Sequence, residues 1–106
     1  MEKSFEFALK VIEFAELLES KRKFVLANQV LKSGTSIGAN VKEAQSAESK
    51  ADFIHKLKIA DKEAIETGYW LDLCKFSKSY PNPDQLEAEL IEIKKLLNAI
   101  ISSSKK

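Results

Sequence analysis

Leu31-Lys32-Ser33-Gly34-Thr35-Ser36-Ile37-Gly38-Ala39-Asn40-Val41-Lys42-Glu43-Ala44 is the stretch that decides how many helices this chain has. Its middle, Ser33 to Gly38, is poor in helix formers, and each glycine costs about 1 kcal/mol relative to alanine in a helix interior. It reads either as a loop dividing two short helices or as one helix whose small face lets another backbone come close. Ala27, Val30, Leu31, Gly34, Ile37, Gly38, Val41 and Ala44 keep spacings of three and four straight through it. That unbroken periodicity favours one helix, over about residues 23–47.

The rest of the chain reads the same way. Residues 4–20 carry Phe5, Ala8, Val11, Ile12, Ala15 and Leu18 on one helical face, with Phe7, Phe14 and Leu17 widening the stripe. Ser49-Lys50-Ala51-Asp52 has the form of a capping box and opens a third helix, to about residue 79. Its core stripe is Phe53, Leu57, Ala60, Ala64, Thr67 or Gly68, and Leu71. Asn82-Pro83-Asp84-Gln85 predicts a fourth start, with Asn82 as N-cap and Pro83 as first helical residue. Leu86, Leu90, Ile93, Leu97 and Ile100 follow in a heptad-like seam over residues 83–103. Four helices with short connectors predict an all-α, antiparallel up-down-up-down four-helix bundle, one domain over residues 1–106.

Composition narrows the function classes. Lys and Arg number 17 against 16 Asp and Glu, so net charge favours no class of partner. Arg22 is the sole arginine; a lysine-dominated basic set suits a solvated surface better than bidentate phosphate recognition. Cys74 is the sole cysteine, which excludes an internal disulfide and a thiolate cage. Glu2, Lys3, Glu6 and Lys10 interrupt any leader-like apolar run, and no uncharged stretch approaches the roughly 20 residues of a membrane span. The expectation is a cytoplasmic protein without membrane contact.

The patterns for catalysis are missing. A di-iron bundle wants two Glu-x-x-His pairs, whereas His55 is the only histidine and Asp52 stands three before it. Cys74 lies about 28 Å along the same helix from His55, too far for a nucleophile and its base; a small buried hydrophobe is the expected role. Gly34 and Gly38 lack the Lys-Ser/Thr of a phosphate loop. No catalytic, cofactor-binding or metal-ligating residue and no small-molecule substrate is expected.

Two residue sets remain. Asn40, Glu43, Glu63 and Glu66 sit beside the predicted core stripes, either as boundary residues bonded to a neighbouring helix or as a polar network fixing helix or subunit register. The predicted topology also gathers Lys21, Arg22, Lys23, Lys75 and Lys78 at one pole, where a phosphate backbone could bind with steep salt dependence. Lysines near helix C-termini are favoured by the helix dipole in any case, and Glu16, Glu19, Asp72 and Asp84 dilute the field there.

Phe24-Val25-Leu26, running on into Leu31 through Ala44, then Ser49 through Leu57 and Glu63 through Leu71, together resemble the four-helix-bundle proteins encoded in intervening sequences of bacterial 23S ribosomal RNA genes. The likeness covers nearly the whole chain. More distantly the chain is similar to the accessory variability proteins of diversity-generating retroelements. The resemblance implies a ring-like homopentamer without enzymatic activity, and in the retroelement relatives a basic surface for nucleic acid and a reverse transcriptase. It makes Gly34, Gly38, Asn40 and Glu43 candidates for tight helix packing. The expectation is a non-catalytic assembly presenting lysines to RNA or a nucleoprotein. The alternative is a protein–protein scaffold, supported by apolar excess at Phe7, Phe14, Tyr69, Trp70 and Phe76.

Overall fold

In the computed structural model, which describes residues 2–105, the chain forms four helices. They are α1 (Glu2–Ser20), α2 (Phe24–Gln45), α3 (Lys50–Phe76) and α4 (Asp84–Ser104). Each packs on its chain neighbour and α4 closes back onto α1, so the helices stand at the corners of a square, up-down-up-down. The molecule measures 46 × 20 × 19 Å.

A heptad seam from each helix makes the core. On α1 it is Ser4, Phe7, Val11, Phe14 and Leu18; on α2, Ala27, Val30, Gly34, Ile37, Val41 and Ala44. On α3 it is Leu57, Ala60, Ala64, Thr67, Leu71 and Cys74; on α4, Leu86, Leu90, Ile93, Leu97 and Ile101. Steps of three and four keep one seam inward along each rod, the packing of left-handed bundles.

The seam corrects several expectations. Phe5 is 66% exposed and Ile12 40%, while Phe7 and Phe14 are buried, so the inward face of α1 lies beside the one expected. Both stripes are apolar; the winner sets Ser4 and Val11 against the glycines of α2. Phe7 and Phe14 therefore contribute nothing to a surface excess. Leu31 leans outward, Thr67 rather than Gly68 fills the core of α3, and Ile101 is buried more fully than Ile100.

Residues 33–38 are helical without interruption. The Ser33, Thr35 and Ser36 hydroxyls donate to the carbonyls of Gln29, Leu31 and Lys32 at 2.7–2.8 Å, and the Asn40 amide donates to Ser36 at 2.9 Å. Folding back onto their own helix satisfies these polar groups without a loop. The glycines set how close α1 comes. A Cβ on Gly34 would stand 2.8 Å from both Val11 methyls, and one on Gly38 would stand 3.3 Å from the Ser4 carbonyl oxygen.

The ends follow local chemistry. The Ser49 hydroxyl accepts from the Asp52 amide at 3.0 Å and starts α3. That helix stops at Phe76, three residues short of the expected 79: Ser77 turns extended, Ser79 adopts φ 67° and Pro81 follows. At α4 the Asn82 side chain accepts from the Asp84 amide at 2.7 Å, but Pro83 takes the N-cap position and the helix begins at Asp84. The asparagine caps from one residue further out than expected.

Candidate nucleic-acid interface

The α1–α2 and α3–α4 connectors meet at one end of the square. The first is closed by a Schellman turn: the Lys23 amide donates to Leu18 O and the Arg22 amide to Glu19 O, each at 2.8 Å. Arg22 occupies the left-handed position of that turn, φ 65°, where glycine is the easy residue. The only arginine of the chain is thus held outward at a backbone cost. Beside it, the Lys23 ammonium lies 4.8 Å from the centre of the Tyr80 ring, a cation–π contact that ties one connector to the other.

The five basic residues gathered here differ in their partners. Lys75 reaches Asp84 at 3.9 Å and Glu87 at 4.0 Å, and its ammonium lies 5.8 Å from the Phe76 ring centre. Among the described residues, Lys21, Arg22 and Lys78 form no ion pair, and all three are exposed. One acid of the pole, Glu87, is held above the ordinary carboxylate range. Burial, a hydrogen bond with Asp72 and its charge push the Glu87 carboxyl up to about 6. Burial and the same Glu87 push the Cys74 thiol up to about 11, so it stays protonated and unreactive at neutral pH.

Two aromatic side chains join this pole that the lysine pattern alone does not point to. Phe24, the first residue of α2, is 54% exposed, and Phe76, the last of α3, is 81% exposed. Both stand off the seam: the seam's next step back from Ala27 is four, to Lys23, so Phe24 falls one residue past it, and Phe76 lies two after Cys74. That phase difference is the sequence signal for their exposure.

The second candidate set lies along the helix seams. Gly34 and Gly38 stand where α1 crowds α2, and Asn40, half-buried, bonds within α2. Glu43 bridges α2 to α3, accepting from the Lys56 ammonium at 3.3 Å. Glu63 is half-buried, its carboxyl raised by burial and then by the charge of the exposed Glu66. His55 is exposed, and among the described residues no three acidic, histidine or cysteine side chains converge on a metal position. No helix of the described residues is long and apolar enough to cross a membrane.

Opposite sides of the square each carry a group of exposed apolar side chains, apart from Leu17, Val25 and Leu96. On α1, Phe5, Leu9 and Ile12 are exposed, and Leu31 joins them on α2; Phe5, Ala8, Thr35, Gly38 and Ala39 line a shared groove of about 390 Å³. On the other side, Ile65, Tyr69 and Leu73 of α3 and Ile91 of α4 are exposed.

An antiparallel bundle of four helices with a glycine-closed seam places the chain among small all-α four-helix-bundle proteins. The chain belongs to the 23S rRNA-intervening sequence protein family, whose pattern it matches over residues 1–99. It is similar to a crystal structure at 1.70 Å resolution of a protein with unknown function from the S23 ribosomal protein family of Bacteroides thetaiotaomicron VPI-5482. That likeness is 46% identity over 94% of this chain and 95% of the other, with a TM-score of 0.89. No curated protein matches the chain.

Proposed function

We propose that the protein is a non-catalytic assembly subunit that presents its basic pole to RNA. The carrying observation is the disposition of exposed apolar side chains on two opposite sides of the square, Phe5–Ile12–Leu31 on one and Ile65–Tyr69–Ile91 on the other. Patches of this kind mark interaction sites. Two different faces on one subunit pair head to tail, and a head-to-tail contact that closes by rotation makes a ring. We read that ring as one of five copies, the number the sequence resemblance implies. With bundles side by side, every copy sets Lys21, Arg22, Lys23 and Lys78 at the same end, and weak contacts to one polynucleotide add as linked events.

The arginine at the strained turn position supports the reading, since backbone strain is retained where the surroundings and the use of a residue demand it. A mobility-shift titration with a structured RNA across rising salt tests it. Binding at low salt that weakens as salt rises is expected; no binding at low salt contradicts the RNA part. A second reading, a protein scaffold without RNA, rests on the same exposed flanks. Pull-down from nuclease-treated lysate separates the two, because a protein partner survives digestion.

A further inference from the structure

The connector pole carries cations and exposed rings together. Lys21, Arg22 and Lys78 point into solvent without ion pairs among the described residues, Lys23 rides on Tyr80, and Phe24 and Phe76 stand exposed at the adjoining helix ends. Glu19, Asp72, Asp84 and Glu87 share this end of the bundle, and Lys75 is spent on the last two. Charge alone is therefore too nearly balanced to hold a duplex, which shows a protein mainly its phosphates. Exposed rings add a term that only unpaired bases can meet, because every base has a face that stacks on an aromatic ring.

We infer that the pole binds an unpaired segment of RNA, its phosphates on Lys21, Arg22 and Lys78 and its bases stacked on Phe24 and Phe76. Phe24 begins α2 and Phe76 ends α3, so both rings stand at the connector end of a bundle 20 × 19 Å across. This rests on the RNA reading proposed above and adds the strand class and the stacking residues. Neither ring supports the core, so each can be removed without opening a cavity.

Fluorescence anisotropy with an unstructured oligoribonucleotide of about ten nucleotides, beside an abasic strand of equal length and a duplex, tests the inference. Wild type should prefer the base-bearing single strand. Phe76→Ala and Phe24→Ala should each weaken it by about tenfold and leave the abasic strand unchanged. Lys21→Ala with Lys78→Ala should weaken both strands. Phenylalanine variants that bind like wild type, while the lysine variant loses affinity, overturn the stacking and leave the RNA reading standing. No binding by wild type at low salt overturns both. Light scattering and thermal melting accompany each variant, and a phenylalanine variant that loses assembly mass assigns that ring to the subunit contact and overturns the inference.

Discussion

Each of the three glycines in this chain sits inside a helix, yet each meets a different neighbour, so one substitution has different outcomes. At Gly34 a methyl would press on the branched Val11 side chain at 2.8 Å, and overpacking of this kind costs about 1–3 kcal/mol, more than the helix-propensity gain of about 1 kcal/mol. At Gly68 the nearest atom to an added Cβ is a Leu90 methyl at 3.6 Å, ordinary contact. Denaturant titration should show Gly34→Ala less stable than wild type and Gly68→Ala more stable by about 1 kcal/mol. Arg22→Gly should also gain about 1 kcal/mol by relieving the left-handed backbone, while weakening any RNA contact. Glu87 gives a pH signature. Its folded value of about 6 lies above the ordinary 4.5, so its favourable contribution is present below 4.5 and lost as pH rises through 6. Glu87→Gln, which cannot ionise, should melt higher than wild type at pH 7.5 and lose most of that advantage at pH 4.5.

Among the elements, α2 is the test of whether periodicity outweighs propensity. Its small residues cost helix stability locally, and tertiary packing recovers it through the close approach of α1 at Val11 and Ser4. The existence of all four helices was legible because spacing of three and four needs no tertiary information. The phase of α1 was not, since Phe5–Ile12 and Phe7–Phe14 form two apolar stripes and only the facing glycines select between them. The end of α3 was overrun because Ser77–Ser79 lacks a strong breaker before Pro81, and the positive φ of Ser79 is a product of the folded turn. The lysine pole was legible from topology, but its exposed rings emerge only when the seam phase is known. Val11→Ala should rescue Gly34→Ala, with a coupling energy of about 0.5–3 kcal/mol in a double-mutant cycle. Additive effects would place the glycine's neighbour elsewhere.

At the scale of the molecule, a narrow square bundle hides one seam per helix and leaves other apolar stripes in water. Burial of apolar surface stabilises by about 25 cal/mol per Å², so flanks such as Phe5–Ile12 and Ile65–Tyr69 favour contact with any apolar surface that fits them. Nothing in one chain's periodicity names the partner that covers those flanks; what it encodes is how much apolar surface the core cannot take. The central claim is that this bundle is built as one wall of a larger assembly. Static light scattering at micromolar concentration measures that directly, on wild type and on Phe5→Glu. The account predicts a wild-type mass several times the 11.9 kDa protomer, falling toward it in the variant with helicity unchanged. A wild-type mass of one protomer would contradict it.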